Sequence, residues 1–296
     1  MPDDDERMIE APASKSFAGR GRHLRASPLT WLNLVCLDAG LVAITWQWLF
    51  ARSFGVAVEF GASLALFLTA WLIYLADRFG DSLSVDLTRA TSLRQRFCLR
   101  HRKGWIVAMA IVAVADVVAV SASLGARQWM AGAIVGVCAL AYLAVNRLRP
   151  SVWCVVPLKE ASIGALFAAG TVVPLAGSLT SAMLRPWLLF ACVCALNCIC
   201  IAAWERYLDL AQRRVSIATS VPAIGHAVVP ALALVFAIGA GCAWFGPRHQ
   251  EIYWSVAASA ALLAALHLFG RRVPQDARTA LADIALLTPV LSLVLW

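Results

Sequence analysis

Residues 56–81 read Val-Ala-Val-Glu-Phe-Gly-Ala-Ser-Leu-Ala-Leu-Phe-Leu-Thr-Ala-Trp-Leu-Ile-Tyr-Leu-Ala-Asp-Arg-Phe-Gly-Asp. Up to Ala76 the only charge is Glu59. A run of that length lets an α-helix cross about 30 Å of hydrocarbon. The run then closes on Asp77, Arg78 and Asp81. The arrangement recurs further along: an apolar run from Met183 to Trp204 closes on Glu205-Arg206-Tyr207-Leu208-Asp209. Each acid pair is spaced i,i+4, so both carboxylates lie on one face of a helix. Four carboxylates at the edge of a low-dielectric layer are costly unless something cationic binds them.

Outward from these two stretches, the same character fills the chain. Of its 296 residues, 61% are hydrophobic and the mean hydropathy is +0.76, whereas soluble domains are about 45–50% apolar. The excess falls in long runs with few charges, predicting an all-α, polytopic membrane helix bundle of nine spans near residues 29–51, 56–76, 104–124, 129–147, 153–178, 183–205, 219–245, 252–270 and 280–296. Continuous hydrophobicity, with no alternation of period two, excludes a β-barrel. Pro157, Pro174, Pro222, Pro230 and Pro289 fall inside these spans, where neighbouring helices can satisfy the carbonyls a kink frees. Residues 28–296 form one membrane domain. Residues 1–27, with acids at 3–6 and then Lys15, Arg20, Arg22 and Arg25 among Ser, Gly, Ala and Pro, read as a disordered cytoplasmic tail and not a cleaved signal peptide. The nine cysteines form no disulfide framework, and Cys192, Cys194, Cys198 and Cys200 spread around a helix instead of converging.

The charges test the span count. With the amino terminus in the cytoplasm, the inside segments hold twenty Lys and Arg and the outside loops hold four: Arg52, Arg127, Arg185 and Arg248. That is the positive-inside bias. It also accounts for the net charge of +8 and excludes a nucleic-acid partner as the reason for it. An integral protein of a bacterial-type inner (plasma) membrane follows. In this topology both acid pairs sit at the cytoplasmic face. Lys159 lies about two turns into the fifth span on that side, and Asn197 lies eight residues before Glu205 on the same stripe. Asp38 and Asp283 also fall in cytoplasmic halves and can reach the site; Glu59, Asp116, His226 and His267 read as structural.

With these residues in place, the chain resembles the UbiA superfamily of membrane prenyltransferases over nearly all of residues 28–296. That family has nine transmembrane helices, an Asn-Asp-x-x-Asp-x-x-x-Asp motif after the second and an Asp-x-x-x-Asp motif after the sixth. Here the first motif reads Ile73-Tyr74-Leu75-Ala76-Asp77-Arg78-Phe79-Gly80-Asp81, keeping the last two acids, and the second places Glu205 and Asp209 at its two acidic positions. The stretch Leu158-Lys159-Glu160 through Gly164-Ala165-Leu166-Phe167 is similar to the family's fifth helix. The resemblance implies that Asp77, Asp81, Glu205 and Asp209 hold Mg²⁺ bound to the diphosphate of an isoprenyl donor. It implies that Lys159, with Arg78 or Arg147, pairs with that diphosphate and that Asn197 orients the donor. The Arg-rich 77–103 loop would cap the site, and membrane lipid would surround a cavity for a lipophilic or aromatic acceptor.

Three functions stay open at this level. The first is Mg²⁺-dependent isoprenyl transfer. The second is a non-catalytic UbiA-like protein that binds a lipid or a protein, which the missing Asn-Asp favours. The third is a transporter, which the intramembrane Lys159-Glu160 suggests and the clustering of acids at one face opposes.

Overall fold

The structure is a computed structural model that describes residues 28–154, 158–246 and 248–295. The expected amino-terminal tail and Pro157 lie outside the described residues. Every described element is helical: α1 Pro28–Leu34, α2 Leu37–Ser53, α3 Phe60–Ser82, α4 Leu93–Arg100, α5 Arg102–Ser123, α6 Ala126–Leu148, α7 Leu158–Val172, α8 Leu184–Ala211, α9 Ile217–Ser220, α10 Ile224–Phe245, α11 Gln250–Phe269, α12 Gln275–Ile284 and α13 Pro289–Leu295.

Among the described residues seven helical stretches are long and apolar enough to cross a membrane, not nine. They are α3, α5, α6, α7 with its 3₁₀ extension to Leu175, α8 with a 3₁₀ lead-in from Ser181, α10 and α11. The two missing spans are the first and the last, and both are broken. The first breaks at Cys36, which adopts the left-handed conformation (φ 60°) and separates α1 from α2. The last breaks between Ile284 and Pro289 into helices of 10 and 7 residues. Of the prolines assigned to span interiors, only Pro230 lies within a described helix. Pro174, Pro222 and Pro289 stand at 3₁₀ segments, turns or a helix start, where the missing N–H costs nothing.

The two breaks lie together, Asn33 beside the first donating from Nδ2 to Asp283 beside the second (2.8 Å), and neighbouring helices pair with the last. Trp46 Nε1 donates to the Leu286 carbonyl (2.7 Å), and Thr288 Oγ1 donates to the Ser255 carbonyl (2.8 Å). Irregular backbone at membrane depth persists only where it is paired in this way or lines a cavity. Around them α2, α7, α8, α10 and α11 share one core, centred on Trp46 stacked on Phe190 at 4.0 Å between ring centroids. A second core joins α3 to α5 through Leu75, Val112 and Trp105.

The outer helices establish the medium. In its most apolar stretch α5 is only 11% buried and α6 only 6%, against 44% for α11. Ile111, Val114, Val117 and Met130, Ile134, Val137 therefore face outward. An apolar surface of that extent requires hydrocarbon around it, so the protein is integral to a membrane.

Gly164 sets the distance between α7 and α8. A Cβ there would lie 2.6 Å from the Ala191 carbonyl oxygen and 2.6 Å from the Ala195 amide nitrogen. Neither backbone atom can swing aside as a side chain would. Gly164→Ala is expected to destabilise the protein by about 1–3 kcal/mol, the cost of overpacking. Thermal melts in detergent give the comparison, and an unchanged melting temperature would show that the helices part freely at this point.

Candidate functional site

One cavity of about 500 Å³ is bounded by α3, α6, α7 and α8 and closed over by α4. All seven residues singled out in the sequence line it: Asp77, Arg78, Asp81, Lys159, Asn197, Glu205 and Asp209. α3 and α8 do not pack along one another; they face each other across this space. Arg147, the alternative partner for a phosphate, does not line it. Both helices run past the ends expected of them, to Ser82 and Ala211, so all four acids are helical and the i,i+4 spacing holds. Lys159 sits in the first turn of α7, not two turns in, because α7 begins at Leu158 after a 3₁₀ turn at Pro150–Cys154.

The mouth carries both signs of charge. Arg94, buried on α4, forms an ion pair with Glu205. Arg214 reaches Asp81 at 3.4 Å and also donates to its backbone carbonyl. Thr279 Oγ1 adds a 3.4 Å bond to Glu205. Asp77 and Asp209 take part in none of the ion pairs of the described residues. Both lie within electrostatic reach of Lys159, and Arg78 lies within reach of Asp77 and Glu205. Two of the four acids are thus neutralised by arginine, and two belong to no ion pair among the described residues.

Sequence reasoning missed Arg94 and Arg214. The signal for Arg94 is weak but real: Ser92 and Gln95 form a capping box that starts α4 inside the polar loop. The loop is strapped down by Leu93 N–H to Asp276 Oδ1 (3.1 Å) and by Gln212, which bridges Asp86 and Ala90. Arg214 owes its position to Arg213, whose left-handed backbone (φ 54°) turns the chain back after α8. Burial raises the carboxyl of Asp276 above its usual range, with the Leu93 N–H and the Arg94 charge opposing that shift.

Further in, the wall turns apolar, with Leu66, Ile73, Leu143, Leu166 and Phe167. Asn197 lines the cavity with its Nδ2 donating to Asp283 Oδ1 at 3.0 Å. Asp283 lines the cavity, as expected, whereas Asp38 does not and is joined to it only through Asn33, whose Nδ2 donates to Asp283 and Asp38 at 2.8 and 2.6 Å. Asp116 accepts from Thr69 (2.8 Å), and His267 pairs through Nδ1 with Trp204 Nε1 (3.2 Å).

Among the described residues no three carboxylate, imidazole or thiolate groups converge on one point. An all-protein metal cage is therefore not present in them. Two available carboxylates do suffice for Mg²⁺, which takes its remaining ligands from phosphate oxygens and water. Comparison of the chain with protein families, with characterised proteins and with solved structures gives no match.

Proposed function

We propose that this protein is a membrane prenyltransferase of the UbiA type, transferring an isoprenyl group from an isoprenyl diphosphate to a lipophilic or aromatic acceptor. One observation carries the reading: a single cavity joins a charged mouth, where acids and bases alternate, to an apolar chamber inside a membrane bundle. An isoprenyl diphosphate has the same two ends. Lys159 and Arg78 bind diphosphate oxygens. Asp77 and Asp209 are the carboxylates that would hold a Mg²⁺, and when bound this ion would supply positive charge to the leaving group. As the allylic carbon–oxygen bond breaks, its electron pair leaves with the diphosphate. The apolar wall, which Tyr74 and Phe167 help to form, keeps water from the allylic cation until the acceptor's nucleophilic atom bonds to it and gives up its proton.

The deciding measurement is Mg²⁺-dependent binding of geranyl, farnesyl and geranylgeranyl diphosphate to the purified protein. Binding of none of the three would sink the proposal. The ion pairs on Asp81 and Glu205 favour a second reading, a non-catalytic protein whose mouth is sealed by its own arginines; it predicts binding of a lipid without diphosphate and no Mg²⁺ dependence.

The charge bias supports a mouth on the cytoplasmic side of a bacterial-type plasma membrane. Tyr207 and Arg248 are both exposed and lie on opposite sides in this topology. In cells carrying an otherwise thiol-silent protein, an impermeant thiol reagent added outside is expected to label Arg248→Cys and spare Tyr207→Cys. The opposite pattern would invert the topology.

A further inference from the structure

The mouth does not account for a second polar cluster. Asn197 is eight residues before Glu205, roughly 12 Å deeper along α8. There the breaks in the first and last spans bring Asn33, Asp38 and Asp283 together with it. Neither Asp38 nor Asp283 belongs to an ion pair of the described residues. Buried carboxylates are found paired, protonated or on a cation.

Three observations narrow these choices. First, a separate small pocket of about 20 Å³ adjoins the main cavity, and Asp283, Asn197 and Tyr74 line it beside Cys194, Cys198 and apolar side chains. It has room for one atom-sized guest. Second, Asn197 is only 5% exposed, and its Oδ1 accepts no hydrogen bond although its Nδ2 is fixed on Asp283. An unused carbonyl oxygen thus lies beside a carboxylate. Third, Arg78 lies within electrostatic reach of both Asp38 and Asp283, and Arg94 of Asp283, yet neither arginine forms an ion pair with them among the described residues. Of the two acids, Asp283 is the one that lines the small pocket.

We propose that Asp283, Asn197 and Tyr74 hold one sodium-sized monovalent cation in this pocket. The donor set is all oxygen (carboxylate, amide carbonyl and phenol), which suits a hard cation. A divalent ion would leave excess positive charge next to Arg78. Breaks in membrane helices are a common seat for small cations. Here the ion would tie the broken last span to α3 and α8. The proposal does not depend on the transferase reading, since its test contains no donor.

The test is thermal melting of the purified full chain without Mg²⁺ or diphosphate, titrated with NaCl, KCl or choline chloride at constant ionic strength. The expected result is a saturable rise in melting temperature with Na⁺ that K⁺ matches only at higher concentration and choline never gives. Asp283→Asn is expected to abolish the rise. Tyr74→Phe keeps the ring contact with Phe167 and should shift the Na⁺ midpoint about fivefold upward, the effect of one lost polar contact. Equal responses to all three salts would overturn the proposal. So would a wild type insensitive to Na⁺ with Asp283→Asn equally or more stable, which would assign the pocket to a proton or a water. If Asp283→Asn does not fold, the wild-type salt selectivity and the Tyr74→Phe midpoint decide.

Discussion

An Arg94→Met variant unfolds about 3 kcal/mol more readily than the parent, the lower end of the cost of stripping one partner from a buried ion pair. The side chains of Arg94 and Glu205 are 9% and 17% exposed, so water cannot take over the role of the missing partner. Arg78 lies within reach of Glu205 and compensates in part, which is why the lower end applies. The same change unfastens α4 from α8, leaving the Leu93–Asp276 bond and the Gln212 bridge to hold the loop over the mouth. Replacing both partners, as Arg94→Met with Glu205→Leu, recovers most of the loss because no charge is left buried alone. Unfolding in mixed micelles measures all three proteins. Parental stability in the single variant would mean that the pair is solvated and that α4 is held by other contacts.

That pair marks the limit of what the chain's order reveals. The acids on α3 and α8 were legible because a helix fixes i and i+4 on one face whatever surrounds it. Their arginine partners come from a loop and from the turn after α8, and their positions depend on a capping box at Ser92 and a left-handed Arg213. Neither device carries a charge pattern. Hydropathy found every apolar segment but could not separate a continuous span from a broken one. The break at Cys36 has no glycine or proline to announce it, and the break before Pro289 follows from a residue that also occurs in kinked, unbroken helices. Depth alone was enough to bring Asp283 to the cavity, whereas Asp38 falls in the same half and does not line it. Their pairing through Asn33 was not legible, because it needs both breaks.

The largest functional effect is expected from ligand-linked stability. A ligand at 100 times its dissociation constant stabilises the folded state by about 2.7 kcal/mol, so Mg²⁺ with an isoprenyl diphosphate should raise the melting temperature of the parent clearly. Asp77→Asn and Asp209→Asn should each abolish that gain, because these are the carboxylates no arginine occupies. Without ligand both variants should be as stable as the parent or slightly more so: Asp77 has Asp81 as a like charge nearby, and Asp209 has Glu205. Asp116→Asn is the control. Asp116 accepts from Thr69 and does not line the cavity, so losing its charge-assisted bond should lower stability by about 1–2 kcal/mol and leave the response to ligand intact. The two classes of acid thus move in opposite directions in one experiment. If Asp77→Asn behaves like Asp116→Asn, losing stability without ligand and keeping its response, the mouth is structural and the donor does not bind there.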